Sequence, residues 1–135
     1  MSAETLAGLP AFAAYVLASA GLCALYLFAY TKITRHDEFE LIVRENNASA
    51  ALALGMSLLG FSIPLASAIF HAASLIECAV WGVIALGIQL AAYALARLAH
   101  PGLSEAIAAN AISAALWLGF VSLTAGVLSA ASMSY

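Results

Sequence analysis

From Ala48 to Phe70 the chain runs for 23 residues without a charge. As a helix that stretch reaches about 34 Å at 1.5 Å per residue, longer than the roughly 30 Å hydrocarbon layer of a bilayer. Within and around it Asn46, Ala50, Ala53, Ser57, Gly60, Pro64, Ser67, His71 and Ser74 follow alternating steps of four and three. Those steps put all of them on one helix face. The other faces carry Leu52, Leu54, Leu58, Leu59, Ile63, Leu65 and Ile69. The helix therefore offers large apolar side chains to lipid and small or polar ones to something else.

Composition extends this to the whole molecule. Only 8% of the 135 residues are charged and 65% are hydrophobic, against roughly 25% charged in a soluble domain. So few charges leave a water-facing surface uncovered, and an integral membrane protein is the class that fits. The net charge of −3 argues against nucleic-acid binding. The two cysteines, Cys23 and Cys78, make no disulfide framework.

Four spans are expected, at about 11–31 behind Pro10, 47–70, 78–96 and 106–131. Tyr15, Ser19, Tyr26 and Tyr30 line one side of the first, as a packing face with tyrosines at the interface. Pro64 removes a backbone donor from the second and predicts a kink. The carbonyls it frees need a partner, which Ser62 or Ser67 can supply. In the third, Gln89, Tyr93 and Arg97 share a face, and Gln89 near mid-membrane should point at protein. Pro101 and Gly102 end that helix, and Ser104 is the expected N-cap of the fourth. A second small stripe, Ala115, Gly119, Ser122, Gly126 and Ser129, runs along the fourth.

The loop at 32–46 holds seven of the chain's eleven charged residues. Asp37 and Glu40 have N-cap and N3 spacing, so a short surface helix over 38–45, continuous with the second span, is expected. His36, Asp37 and Glu38 are consecutive and point different ways, which suits a capped, solvated loop better than a shared metal ion. No metal site or cofactor is expected. On the other side His71 and Glu77 belong at headgroup level, solvated or paired. The sharper alternative for them is an outer-mouth site for cations or protons.

Shifting the first half by 64 residues aligns Asn46 with Asn110, Ser49-Ala50-Ala51-Leu52 with Ser113-Ala114-Ala115-Leu116, and Leu54-Gly55 with Leu118-Gly119. The expected architecture is a single all-α membrane domain over 1–135, built as two tandem parallel two-helix repeats at about 11–70 and 78–135. Lys32, Arg35, Arg44 and Arg97 all follow the first or third span, so both those loops should be cytoplasmic and both termini extracytoplasmic.

The residues Thr34-Arg35-His36-Asp37-Glu38, Leu59-Gly60-Phe61, Pro64-Leu65-Ala66-Ser67-Ala68-Ile69, Trp81-Gly82 and Ala130-Ala131-Ser132-Met133 resemble the YjfL-like bacterial inner-membrane proteins. The resemblance covers the chain from the first span to its end. It implies four helices in two tandem units, the bacterial inner membrane, no assigned catalytic residues, and a link to envelope stress. Glu77 stands where the family leads one to expect an acidic residue, whereas Ser129 replaces an expected asparagine.

No Ser/His/Asp, Cys/His or zinc-spaced cluster and no phosphate loop is present, so catalysis is not expected. Two readings remain, and the first is the one the sequence favours. In one the chain is a permeation module for small ions or solutes. Several copies would then surround an axis lined by the stripe of Ala53, Ser57, Gly60, Pro64, Ser67 and His71. In the other it is a scaffold or accessory subunit of an envelope-maintenance complex. The stripes then pack against sister subunits, and the 32–46 loop docks a cytoplasmic partner.

Overall fold

The computed structural model describes residues 2–34 and 36–133. Arg35, one of the four basic residues on which the expected orientation rests, lies outside the described residues, as do Met1 and the last two residues of the tail. Among the described residues seven helices follow one another: α1 (Ala3–Ala7), α2 (Leu9–Ile33), α3 (Glu38–Val43), α4 (Ala48–His71), α5 (Leu75–Ala99), α6 (Leu103–Ala108) and α7 (Ile112–Ser132). Four helical stretches among the described residues are long and apolar enough to cross a membrane: Ala3–Ile33, Ala48–His71, Leu75–Ala99 and Ile112–Ser132. Large side chains such as Leu17, Phe28, Phe70, Ile76 and Leu98 are exposed on their outer faces, as a lipid-facing surface requires.

Local chemistry sets the helix ends. Ser2, Asp37, Asn47 and Ser74 each accept a hydrogen bond from the backbone N–H three residues on, capping α1, α3, α4 and α5. Pro10 sits in the first turn of α2, where its missing donor costs nothing. Glu77 completes the cap of α5 by accepting from Ala73 N at 3.2 Å.

Two boundaries differ from expectation, and both turn on an asparagine. Asn46 and Asn110 hold φ of 51° and 64°, the left-handed region that asparagine tolerates better than most residues. Asn46 separates α3 from α4, so the surface helix is not continuous with the second span. Asn110 splits the expected fourth span into short α6 and long α7. Ser104 is consequently no N-cap; it lies inside α6, buried, and Gly102 at φ 78° begins that helix.

The closest packing is between α4 and α7, with α5 against both and α2 on the outside of α4 and α5. Only Leu22, Tyr26 and Tyr30 of α2 are buried. The short helices α3 and α6 lie across the ends of α4 and α7. Tyr26 stacks on Phe61 with centroids 4.8 Å apart, and Tyr30 meets Tyr93 edge-on at 5.7 Å. These two tyrosines are fully buried core residues, not interfacial ones.

Candidate functional site

The two small stripes meet each other. Ala53, Ser57, Gly60 and Pro64 of α4 are buried, as are Ala115, Gly119, Ser122, Gly126 and Ser129 of α7. Their contact brings backbone to backbone. A Cβ on Gly60 would stand 2.6 Å from the Ser122 carbonyl oxygen, and one on Gly126 only 2.1 Å from the Gly60 carbonyl oxygen. Only glycine permits an approach this close. Ser67 is half-buried and donates to Ala130 O at 3.3 Å, while His71 at the helix end is exposed, its Nδ1 lying 2.9 Å from Ser67 O.

Pro64 explains a polar residue in this seam. In α4 the Gly60 carbonyl would normally accept from the N–H of residue 64, which proline lacks. Gln89 of α5 takes that place: its Nε2 donates to Gly60 O at 3.0 Å and to Ser122 O at 3.1 Å. Ser62 and Ser67, the partners expected from sequence, bond Leu59 O and Ala130 O instead. The reason is geometric. The freed carbonyl points into the bundle, where α5 reaches it, whereas the Ser62 hydroxyl folds back on its own helix. Sequence marked Gln89 as protein-facing, and it is fully buried. Its pairing with the carbonyl released by Pro64 was not legible.

A polar cluster continues from this point toward the α3 end. Ser122 Oγ lies 3.3 Å from Ser57 Oγ, and the Tyr26 and Tyr30 hydroxyls face Ser57. Tyr30 Oη and Gln89 Oε1 are buried, and among the described residues neither has a well-formed hydrogen bond. One turn beyond Tyr30, Thr34 donates to Glu38 Oε1. Glu38 is 1% exposed and lies 3.3 Å from His36 Nε2, although the angle there does not make a hydrogen bond. Burial pushes the Glu38 carboxyl above its ordinary range, partly offset by the bond from Thr34. Burial draws the His36 imidazole below its ordinary value, against the raising influence of Asp37 and Glu105.

His36 and Glu38 are thus core residues of the loop, not solvated ones. Consecutive residues do point different ways, as expected: Asp37 faces outward and caps α3. His36, Asp37, Glu40, Glu45 and Glu105 line a cleft of about 330 Å³ between α3 and α6. Among the described residues no group of three His, Cys, Asp or Glu side chains is placed to hold a metal ion. At the same end Asn47 Nδ2 donates to Ile107 O and Ala108 O, both at 3.1 Å, while Asn110 Oδ1 accepts from Ser49 N at 3.0 Å. These bonds tie the start of α4 to the α6–α7 junction. At the opposite end Glu77 caps α5 and His71 bonds back to Ser67.

Four apolar helices around a close glycine seam define an all-helical, multi-pass membrane protein. The chain belongs to the family described as Domain of Unknown Function (DUF350), which matches residues 4–133. It is 42% identical over 125 residues to the "UPF0719 inner membrane protein YjfL" of Escherichia coli (strain K12), covering 93% of this chain and 94% of that one. The protein of the same name in Escherichia coli O157:H7 matches equally well. No solved structure matches. The resemblance read from sequence is therefore correct, and the chain is a multi-pass inner membrane protein.

Proposed function

We propose that this protein is a non-transporting scaffold or accessory subunit of the inner membrane, with no reaction of its own. The observation that carries this is the α4–α7 seam. Ala53, Ser57, Gly60 and Pro64, most of the stripe that would have to face a shared aqueous axis, are instead covered within one chain, where Gly126 comes against the Gly60 carbonyl. An oligomer of such chains would associate through other surfaces. The acidic cleft between α3 and α6 would be the docking place for a basic cytoplasmic segment. A role in envelope maintenance fits a module of this kind.

Within this proposal the chain is two tandem parallel units with both termini outside the cytoplasm. Supporting the repeat, the equivalent residues Asn46 and Asn110 both take left-handed backbone just before a long helix. Supporting the orientation, Lys32, Arg44 and Arg97 all belong to the end that carries α3 and α6.

Permeation is the second reading, favoured by one observation: the buried polar cluster of Tyr26, Tyr30, Ser57, Ser122 and Gln89. Proteoliposomes separate the two. The scaffold reading expects K⁺, Na⁺ and H⁺ leak rates equal to those of protein-free vesicles. A protein-dependent flux that saturates or selects among these ions would replace it with permeation. Ser57→Leu and Gly60→Leu do not serve this test, because both positions are fully enclosed within the chain and would report on folding.

A further inference from the structure

Where the last turn of α5 meets α6, the helices stand apart and leave a groove of about 920 Å³. That lies toward the top of the roughly 300–1,000 Å³ usual for small-molecule sites. Its walls include Ile33, Leu90, Ala94 and Leu98, and among the described residues its charged lining is the cation Arg97 and the anion Glu105. At its base Tyr93 Oη and Ser104 Oγ lie 3.3 Å apart and bond each other. Arg97 and Glu105 form no ion pair with a described residue.

We propose that the groove binds a phospholipid with a primary-ammonium zwitterionic headgroup, a phosphatidylethanolamine. Its phosphate lies on Arg97, its ammonium on Glu105, and an acyl chain runs along α5 over Leu90, Ala94 and Leu98. Arg97 stands in the last turn of a membrane-spanning helix, the level at which headgroups lie. Leu98 of the groove wall is exposed on the outer surface of α5, so a chain can enter from the bilayer. A guanidinium fork matches the oxygens of a phosphate. A carboxylate accepts N–H bonds that a primary ammonium has and a quaternary choline lacks. An anionic glycerol headgroup would satisfy Arg97 but place no cation against Glu105. The paired charges thus select a dipolar headgroup, and the apolar walls select a lipid over a free headgroup.

Native mass spectrometry of the full chain, with dioleoyl phosphatidylethanolamine, phosphatidylcholine and phosphatidylglycerol added in turn, tests this. The ethanolamine lipid should be retained about tenfold better than the choline lipid. Arg97→Gln should lower its retention about tenfold. Glu105→Gln, at an exposed position, should abolish the preference for ethanolamine over choline without weakening the glycerol lipid. Ala94→Phe, which fills the groove and touches neither charge, should displace the ethanolamine lipid to the same extent as Arg97→Gln. Equal retention of ethanolamine and choline lipids by the unaltered protein overturns the proposal, as does an unchanged preference in both charge variants. So does displacement of the lipid by chain-free glycerophosphoethanolamine at equal concentration, which would reveal a headgroup site alone.

Discussion

Gln89 Nε2 sits 3.0 Å from the carbonyl oxygen of Gly60, the acceptor that Pro64 deprives of its helical donor. The two residues are 29 positions apart, on neighbouring helices. A defect in one helix is thereby made the attachment point for another. In lipid, where no water can fill the vacancy, an unbonded carbonyl is costly, so the pairing has a measurable consequence.

Gln89→Ala should destabilise the protein by about 1 kcal/mol, the usual worth of interhelical hydrogen bonds in a membrane. In a Pro64→Ala background the helix recovers its own donor to Gly60 O, and the cost of Gln89→Ala should shrink to about half. Unfolding free energies of the four proteins in the double-mutant cycle, measured in mixed micelles, check this. Additive effects would mean that the two residues act separately.

Gly126→Ala should cost about 1–3 kcal/mol, since a Cβ there would press on the backbone oxygen of Gly60 at 2.1 Å and neither backbone has room to yield. Gly55→Ala is the matched control. A Cβ at Gly55 meets nothing within 4 Å, and alanine is the better helix former by about 1 kcal/mol, so that variant should be as stable as the parent or more so. Thermal unfolding of the two in the same detergent decides the matter.

Asn110→Val should destabilise more than Asn110→Gly. Glycine keeps the backbone at φ 64° free of strain and loses only the bond from Ser49 N, about 1 kcal/mol. Valine loses the bond and is forced into a conformation a β-branched residue resists. The difference should exceed about 1 kcal/mol in urea or SDS titration.

Two buried groups at the α3 end give opposed pH dependences. The raised Glu38 carboxyl holds its proton to higher pH in the folded chain than in the unfolded one. The stability it contributes is full below its ordinary value of 4.5 and declines as pH rises through the folded value. The depressed His36 works the other way. Its contribution is full above 6.5 and is lost as pH falls through the folded value. Glu38→Gln, which can still accept from Thr34, should flatten the decline on the alkaline side. His36→Gln should flatten the loss on the acid side. Unfolding midpoints between pH 4 and 8 read both limbs.

The chain's own residues determine a good deal without any tertiary information. Runs of apolar residues longer than the bilayer is thick specify four spans, because helical hydrogen bonding is a local answer to the absence of water. Asp37 marks a helix start for the same local reason. The alternation of four and three that collects Ser57, Gly60 and Pro64 on one face follows from helix geometry alone, and so does the second stripe on α7. What covers those faces is not local. A stripe of small residues permits close approach by any helix, a sister chain's or its own, and only the assembled bundle put Gly126 of α7 against Gly60. It likewise delivered Gln89 to the carbonyl freed by Pro64, and it buried His36 and Glu38 in a loop whose charges look solvated when read in order. Asn46 and Asn110 align at the 64-residue offset in the sequence. The bonds that tie these two turns together, from Asn47 to Ile107 O and from Ser49 N to Asn110, join residues 60 and 61 positions apart, and no local pattern encodes them.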